Sequence, residues 1–569
     1  MAKKIICAVL ALALCLGIIT GCKKPDDPNT PTSSITDFKY SAARSFVEGR
    51  AAVADDDNMW GFIDSEGNVK GSLEHYGVKD YSEGFAIVQK KVGSNIYYGM
   101  VDLNGSFVSF KDENDSELKG VAGAENYPFT EANSFSNGYA SVKYNNSWKV
   151  IDNTGKVILS SIEYEDTIYT IEGLQVFEKF GDKVVAKAKI NMVISSKPVG
   201  AFGYIDPEGN IIIPFKYESF TTASGDYITA QRKIDDSNRV LASTSMYYVI
   251  INIGSITDGF VAEELVASEK YSKIEPLKDG YFFAIKNKRY TLLDSNNDME
   301  KLFTLASFND ANNTDGSYMG VRYYDTKGVT ENAKDENGEE LLNPETNEPY
   351  EIKTILRWAV LDINAYADEN PSKPADFTGL TAEDYKFYSI GNFNNGKAIA
   401  AISYYRLQES VKLDSNGFAV VEEVPAGTEG TFEGTGDNAG KWFRYVYEYT
   451  PQEVVKYGMI DSTGAFVIEA KYDSFSSFTG DFAVVTLNKK YGIVNMTGRE
   501  TLALEHDEIK AFTDSYAITK KGGKYGITSL TTNGKELTAY IYDDIGSSVS
   551  EGLIPAMRNN KWGFVRVSL

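Results

Sequence analysis

Short apolar runs separated by polar turns recur along the chain from residue 46 to its end. Each run is rich in Val, Ile, Tyr and Phe and is bounded by Asn, Asp or Gly, as in Phe46–Val53, Phe135–Val142 and Phe478–Val485. Runs of this composition form β-strands, and their polar borders form tight turns. The pattern predicts an all-β chain of antiparallel hairpins.

One motif repeats within this pattern: an aromatic residue, a glycine, three residues that end in aspartate, and a second glycine three residues later. The first glycine is expected to allow two backbones to approach closely within a sheet. We call the aromatic residue the anchor of each repeat and expect anchors to lie in the core; the alternative is a row of rings that stack on sugars. The anchor positions are Trp60 and Gly61, Tyr98 and Gly99, Trp148, Phe202 and Gly203, Tyr457 and Gly458, Tyr491 and Gly492, Tyr525 and Gly526, and Trp562 and Gly563.

The aspartate of the motif predicts a capped turn, in which its carboxylate accepts hydrogen bonds from backbone amides and the following glycine supplies a positive φ. Calcium ligands or paired catalytic acids are the alternatives, but every repeat needs a turn whereas catalysis needs one site. A separate oxygen-rich stretch, Asp294–Asp298, lacks the glycine and the final glutamate of a calcium loop. The turn aspartates are Asp64, Asp102, Asp152, Asp206 and Asp461.

The anchor motif, followed by Val-Ile and Lys-Tyr-Asp as in Val467–Asp473, resembles the WG-repeat family, named for its Trp-Gly pair. The resemblance implies a bacterial β-repeat protein, often secreted or surface-attached, with no common catalytic residue. Each repeat of three or four antiparallel strands cannot bury its apolar face alone. We therefore expect a propeller-like arrangement; the alternative is an open β superhelix, or solenoid.

The repeats divide the chain into three parts: N-terminal repeats over 41–225, divergent repeats over 226–450, and C-terminal repeats over 451–569. In the middle part, Arg289–Asp294 and Arg357–Asp362 keep an aromatic residue and an aspartate without the glycine, and Gly280 and Gly396 mark the elements expected before them. Residues 330–350 carry many acids and are expected to form an exposed acidic insertion.

The amino terminus has the features of a bacterial lipoprotein signal. Lys3 and Lys4 precede the apolar run Ile5–Ile19, and Ile19–Cys22 resembles a lipobox. The resemblance implies a signal peptide over 1–21, a diacylglycerol on Cys22, and a disordered tether over 22–40. An ordinary signal peptide and a retained anchor helix are the alternatives. The expected location is the cell envelope, on the exported side: the outer membrane or the outer face of the plasma membrane.

Composition excludes several classes of chemistry. The formal net charge of -23 argues against nucleic-acid binding, and all three cysteines lie within the first 22 residues. His75 and His506 lie beside acids and are expected at the surface, and Gly391–Ala398 resembles a phosphate loop only by chance. We predict no catalytic residue, metal or cofactor.

The function predicted from the sequence is a binding or scaffold module for a protein or polysaccharide partner. The alternatives are a carboxylate-dependent glycan hydrolase or lyase in the divergent middle, and a structural surface layer.

Overall fold

A computed structural model describes residues 35–254, 256, 262–265, 271–276, 280–286, 289–294, 300–305, 308–311, 318–323, 329–354, 357–362, 386–532 and 534–569. The described residues are all-β, as predicted, and contain no α-helix. Two single-turn 3-10 helices occur, at Ser243–Ser245 and Gly436–Asn438. Cys22 and the rest of 1–34 lie outside the described residues.

The strands are short and follow one another closely. The first part of the chain contains β1 (Ala42–Val47), β2 (Arg50–Ala54), β3 (Trp60–Asp64), β4 (Val69–His75), β5 (Gly77–Val78), β6 (Phe85–Val92), β7 (Asn95–Asp102), β8 (Glu131–Ala132), β9 (Tyr139–Tyr144), β10 (Ser147–Asp152), β11 (Val157–Leu159), β12 (Ser161–Tyr164), β13 (Thr167–Thr170), β14 (Gly173–Leu174), β15 (Glu178–Phe180), β16 (Lys183–Ile194), β17 (Lys197–Ile205), β18 (Ile211–Phe220), β19 (Tyr227–Arg232), β20 (Tyr247–Asn252) and β21 (Glu263–Leu265). The middle contains β22 (Lys273–Pro276), β23 (Tyr281–Lys286), β24 (Arg289–Asp294), β25 (Glu300–Leu305), β26 (Phe308–Ala311), β27 (Tyr318–Tyr323), β28 (Val329–Asn332), β29 (Glu351–Thr354), β30 (Trp358–Asp362), β31 (Ser389–Ile390), β32 (Lys397–Val411), β33 (Val421–Val424), β34 (Phe432–Glu433) and β35 (Trp442–Tyr445). The last part contains β36 (Tyr447–Asp461), β37 (Phe466–Tyr472), β38 (Ser474–Phe475), β39 (Phe482–Leu487), β40 (Lys490–Asn495), β41 (Glu500–His506), β42 (Glu508–Phe512), β43 (Tyr516–Lys521), β44 (Lys524–Ser529), β45 (Asp544–Ile545), β46 (Leu553–Arg558) and β47 (Lys561–Arg566).

These strands form small antiparallel sheets, which confirms the predicted tandem repeats. Most sheets have two to four strands; the exception has eight, because β18 also pairs with β19 and so joins two repeats. The sheet orders are β1-β2-β3-β4, β5-β6-β7, β11-β10-β9-β8, β12-β13, β14-β16-β17-β18-β19-β20-β21 with β15 on β16, β22-β23-β24-β25, β26-β27-β30, β28-β29, β31-β32-β36-β37, β33-β35-β34, β38-β39-β40-β41, β42-β43-β44 and β45-β46-β47.

A central hairpin defines each repeat, in which one strand pairs with the strand that carries the anchor. The described residues contain eleven such hairpins, and we number the repeats as units 1 to 11. Their anchors are Trp60, Tyr98, Trp148, Phe202, Tyr248, Tyr290, Trp358, Tyr457, Tyr491, Tyr525 and Trp562.

The hydrophobic core lies between consecutive units and is not gathered at one centre. For example, Val88 of unit 2 packs with Ala52 and Phe62 of unit 1, and Val485 of unit 9 packs with Met459 of unit 8. Equivalent clusters join units 2 and 3, 3 and 4, 4 and 5, 5 and 6, 7 and 8, 9 and 10, and 10 and 11. Each unit therefore depends on its neighbours for burial, as expected of repeat proteins.

The first and last units are also in contact. Phe46 of unit 1 and Phe564 of unit 11 are fully buried against each other, with ring centroids 5.1 Å apart. Residues 35–40 add a strand-like edge to β47: Lys39 N donates to Trp562 O at 3.0 Å, and Trp562 N donates to Tyr40 O at 2.8 Å. An open superhelix would leave its two ends apart, so this contact, which we call the seam, favours a closed arrangement.

The seam corrects the predicted boundary of the tether. Residues 35–40 were assigned to the disordered stretch 22–40, but they are paired with β47 and Tyr40 is buried. The apolar residues of this segment, Ile35, Phe38 and Tyr40, contact unit 11, and these contacts stabilise its ordered conformation. The Pro/Ser/Thr-rich composition that predicts a tether belongs to the residues before 35.

The middle of the chain also differs from the sequence prediction. Gly396 precedes β32, which pairs with the Tyr457 strand β36 and not with the Trp358 strand. The Trp358 strand β30 pairs instead with β27. The boundary placed between 450 and 451 therefore falls inside β36, whose 15 residues all pair with β32.

Neighbouring C-terminal units are linked by a repeated polar contact. Lys490 Nζ lies 2.7 Å from Asp507 Oδ1, and Asp507 Oδ2 accepts a hydrogen bond from Gly523 N in the turn of the next unit. These two contacts hold the pKa of Asp507 below its usual range. The same arrangement recurs at Lys456, Asp473 and Asn488, and at Lys524, Asp543 and Asn559.

Candidate functional site

Most of the anchor aromatics are packed into the clusters between units, namely Trp60, Tyr98, Trp148, Tyr457, Tyr525 and Trp562. Phe202 instead has Lys187 and Lys189 over its ring, and Tyr491 lies opposite His506. Trp148 and Tyr525 are buried, and the other anchors named from the sequence are half-buried: Trp60, Tyr98, Phe202, Tyr457, Tyr491 and Trp562. The packed rings contact buried neighbours, as Trp60 does in the cluster between units 1 and 2. Their role in the structure is to hold consecutive units together.

The glycine after the anchor lies against the backbone of the next strand. A Cβ added at Gly458 would lie 2.8 Å from Ala470 N and from Glu469 C, and nearer still to Ile468 O. Added Cβ atoms would meet similar crowding, at 3.1 Å or less, at Gly61, Gly99, Gly203, Gly492, Gly526 and Gly563. A side chain at Gly61, Gly203, Gly458 or Gly492 would push two strands apart, whereas at Gly526 and Gly563 it would collide with the rings of Tyr540 and Phe38.

The turn aspartates bind the backbone of their own turns. Asp461 Oδ1 accepts hydrogen bonds from Thr463 N at 2.8 Å and from Ala465 N at 3.1 Å. Asp64 is buried, which opposes ionisation, but hydrogen bonds from Lys70 and Asn68 outweigh that effect and lower its pKa to about 2. The same pair of amide contacts is made by Asp102, Asp152 and Asp206.

These carboxylates are therefore occupied within separate turns. In the described part of the chain, no group of three His, Cys, Asp or Glu side chains is placed to hold a metal ion. Asp294 ends β24, and residues 295–299 of the oxygen-rich stretch lie outside the described residues.

Both histidines are buried, so their predicted surface position is wrong. His75 is 4% exposed, its Nδ1 lies 2.9 Å from Tyr127 Oη, and burial lowers its pKa to about 4. His506 is 3% exposed and contacts Ala503 O and Tyr540 Oη. Each histidine pairs with an anchor, His75 with Trp60 and His506 with Tyr491, in the position that Tyr472 occupies opposite Tyr457. They replace the tyrosine of the Lys-Tyr-Asp element.

One anchor was missed from the sequence. Tyr248 N donates to Tyr271 O at 3.0 Å, the contact that Trp562 N makes with Tyr40 O in unit 11. Val249 follows Tyr248 where most units have glycine, and this departure hides the motif. The preceding strand β19, directly after the Gly225 turn, was the available signal.

Large insertions occur at one position of the repeat, the turn that joins the two strands of the central hairpin. In unit 9 this turn is the pair Asn488-Lys489, between Leu487 and Lys490. In unit 8 the paired positions are Ile402 and Lys456, so residues 403–455 replace the two-residue turn. In unit 7, the insertion between β27 and β30 is at the same place, and its described residues are 329–354. Because these units are consecutive, their insertions emerge from the same edge.

The unit 8 insertion is a long β-ribbon, which we call the arm (residues 403–455). The outer parts of β32 and β36 form its stem, and β33, β35 and β34 form a small sheet at its end. The unit 7 insertion contributes the hairpin β28–β29, which we call the acidic hairpin (residues 329–354) and which includes the predicted acidic insertion.

The arm and the acidic hairpin contact each other directly. Tyr405 N donates to Lys334 O at 2.8 Å, Tyr350 Oη donates to Tyr449 O at 2.8 Å, and Arg406 pairs with Glu336 at 2.6 Å. Together the two insertions contain 17 acidic and 6 basic residues, which gives -11 of the chain's net charge of -23. We call this combined feature the acidic module.

The end of the arm displays aromatic side chains to solvent. Val421 lies opposite Tyr445, and Phe432 lies opposite Phe443, so these side chains share one face of the small sheet. Alternation along an extended strand places Tyr447 on the same face. Phe432, Tyr445 and Tyr447 are 39–43% exposed, and the ring of Phe432 lies 5.3 Å from that of Tyr445 at an interplanar angle of 36°. We call Phe432, Phe443, Tyr445 and Tyr447 the aromatic face.

The clefts of the repeat body have fewer features of a binding or catalytic site than the acidic module. One cleft of about 280 Å³ lies between the hairpins β12–β13 and β16–β17, with Tyr164, Phe215 and Lys216 in its lining. Its lining contains one carboxylate, Glu165. A second cleft of about 250 Å³ includes the phosphate-loop-like residues Gly391–Asn394, which form a turn and lead into β32 as the repeat predicts. Neither cleft brings two carboxylates together.

Within the described residues, no helix is long and apolar enough to cross a membrane. No protein of curated function matches the chain.

Among solved structures, similar chains include PorZ, a surface component of the type-IX secretion system of Porphyromonas gingivalis, and BamB from Moraxella catarrhalis. PorZ is 8% identical, with 94% of this chain and 86% of that chain covered and a TM-score of 0.19. BamB is 10% identical, with 63% of this chain and 92% of that chain covered and a TM-score of 0.22. Neither likeness supports a conclusion about function.

The comparison of the chain with protein families identifies matching stretches by residue number. The family described as "WG containing repeat" matches residues 60–91, 129–148, 202–232, 457–491, 491–525 and 531–562. Most of these stretches run from the anchor strand of one unit to the first strand of the next, as 60–91 does from β3 to β6 and 202–232 from β17 to β19. The chain thus carries WG-containing repeats at six places between residues 60 and 562.

Proposed function

We propose that this WG-repeat chain is a binding or scaffold protein of the cell envelope, held to a membrane by a lipid on Cys22. In this proposal the repeat body is a rigid support, and the acidic module contacts a protein or polysaccharide partner. The repeats support a binding or scaffold role, because their anchors, glycines and turn aspartates are all used in the fold. The lipid anchor is supported by the lipobox resemblance of Ile19–Cys22.

The insertion of 53 residues in place of a two-residue turn carries the proposal. A fold that needs only Asn-Lys at this position gains no core from the arm, whose end residues are largely exposed. Exposed loops on a rigid scaffold are where binding residues concentrate. The glycan hydrolase or lyase alternative has no comparable support, because the linings of the two clefts described above hold at most one carboxylate each.

The test replaces residues 403–455 with Asn-Lys, the turn of unit 9, in the full chain. Envelope proteins and polysaccharides captured by the wild type and by this arm-swap variant are then compared, with unchanged hydrogen exchange in units 9 to 11 as the control for folding. The proposal expects at least one partner to be lost. Capture of the same partners by both chains would refute a role for the arm.

Membrane attachment is tested separately. Cys22→Ser is expected to move the protein from the membrane fraction to the soluble fraction, because two acyl chains supply the stable anchoring. Continued sedimentation with membranes, without acyl labelling of the wild type, would contradict lipidation.

A further inference from the structure

The aromatic face combines two features: exposed rings and a concentrated negative charge. Exposed aromatic residues are enriched in the cores of protein interfaces. The aromatic face stands at the end of the arm, the part of the acidic module farthest along the chain from the repeat.

Several carboxylates around the aromatic face have no partner. Within the described residues, Glu429, Glu433, Asp437 and Glu448 make no hydrogen bond or ion pair, and all four are exposed. Glu433 follows Phe432 directly in β34, so its carboxylate projects to the reverse side of the small sheet. Glu448 follows Tyr447 directly in β36, which begins two residues after the end of β35. The sheet is three strands wide, which is about 10 Å between its outer strands. A long side chain laid across the rings can reach a carboxylate at either edge.

Within the acidic module, basic side chains of the chain itself already contact aromatic rings and carboxylates. The guanidinium of Arg406 lies over the ring of Tyr404 at 5.2 Å and pairs with Glu336. Beside the aromatic face, Lys441 Nζ lies 3.0 Å from Glu423. Cations over aromatic faces gain free energy from the ring quadrupole. In the described residues, no Lys or Arg lies over the rings of Phe432, Tyr445 or Tyr447.

We propose that the aromatic face binds a basic segment, rich in Arg and Lys, of a partner protein. The rings would stack on the guanidinium groups and the apolar stems of the partner's side chains, and the free carboxylates would pair with its charges. The module's net charge of -11 complements such a segment and speeds its encounter. A neutral glycan gains nothing from that charge, and a second copy of this chain would be repelled by it. This inference rests on the proposed function, because it identifies the partner class of the same arm.

The experiment measures binding of fluorescent peptides to the full chain by anisotropy. The probe is a peptide of alternating Arg and Gly, compared with a Ser-Gly peptide of the same length and with a labelled linear glucan. Tyr445→Ser with Tyr447→Ser removes two exposed rings, and Tyr76→Ser, at a similarly exposed tyrosine of the body, is the matched control. Glu433→Gln with Glu448→Gln removes two free carboxylates.

The Arg-Gly peptide is expected to bind saturably, and its affinity to fall about tenfold in the tyrosine pair, the size of effect given by loss of an interface anchor. The glutamate pair should weaken binding several-fold and reduce its dependence on salt. Tyr76→Ser should remain within about twofold of the wild type.

The inference would be overturned by equal losses in the control, by binding of the glucan that depends on Tyr445 and Tyr447, or by self-association through these residues. No binding of the Arg-Gly peptide would also overturn it. If the arm-swap variant nevertheless loses an envelope partner, the proposed function stands and only the partner class is wrong. If the arm-swap variant keeps every partner, the proposed function itself fails.

Discussion

Gly458→Ala tests whether the anchor glycine is required by the close approach of two strands. The added Cβ would lie 2.8 Å from two backbone atoms of residues 469 and 470, whereas ordinary contacts begin at 3.4 Å. Because Ile468 O would lie nearer still, relief requires the strands to separate by more than about 0.6 Å. The pairs Tyr457 with Tyr472 and Met459 with Ile468 flank the glycine, so β37 has little freedom to move away.

The magnitude follows from two opposing effects. Forcing a methyl group into a packed site costs about 1–3 kcal/mol, and contact with backbone atoms of three consecutive residues, 468–470, places this site at the upper end. Alanine restricts the unfolded chain more than glycine does, which returns about 0.4–1 kcal/mol. The expected net destabilisation is about 2 kcal/mol, which corresponds to roughly a 30-fold change in an opening equilibrium.

Hydrogen exchange resolved by segment is the appropriate assay, because a repeat protein can open locally. Amides of β36 and β37 should exchange roughly 30-fold faster in Gly458→Ala, and those of unit 1 should change little. Gly391→Ala is the matched control, since its added Cβ meets its nearest atom at 3.4 Å. Equal exchange in the two variants would refute the steric reasoning.

Three further predictions concern burial, linkage between units and the seam. Burial lowers the pKa of His75 to about 4, whereas the unfolded value is about 6.5. The folded state then binds fewer protons, so stability should fall by up to about 3 kcal/mol as pH drops from 6.5 to 4, and His75→Phe should flatten this slope in denaturant titrations. Asp507→Asn should weaken the junction of units 9 and 10 at neutral pH but not at acidic pH. Because the pKa of Asp507 is lowered in the folded state, the contribution of its carboxylate to stability is present above the unfolded pKa and is lost as pH falls through the folded pKa. Equal hydrogen exchange of the variant and the wild type at pH 7 would contradict the link. Phe564→Ala should cost about 3–5 kcal/mol and speed exchange in both unit 1 and unit 11, whereas an open superhelix predicts a change in unit 11 alone.

Local features of the fold were predictable from the sequence. The anchor, its glycine and the turn aspartate lie within eight residues, and each acts on atoms close to it in the chain. The buried positions of the histidines were also within reach, since Glu505-His506-Asp507 aligns with Lys471-Tyr472-Asp473. The neighbours Glu505 and Asp507 favour a surface position, but adjacent side chains of a strand point to opposite faces, and that of His506 points away from the two acids.

Pairings between distant segments were not predictable in this way. Ile402 and Lys456 are partners across a 53-residue insertion, and no local signal marks the point where the repeat resumes. Similarly, Tyr40 lies beside Pro/Ser-rich sequence, and its partner Trp562 is more than 500 residues away. The aromatic face depends on the pairing of β33, β34 and β35, which follows from no repeat pattern.

The seam sets an order on folding during synthesis. Residues 35–40 leave the ribosome early, yet their hydrogen-bonding partners at 562–564 arrive among the last. Until then the edge of unit 1 is open to wrong partners, including strands of other nascent chains. Completion of the body is therefore a late event in biogenesis. A mechanical load applied through the amino terminus would act first on the seam.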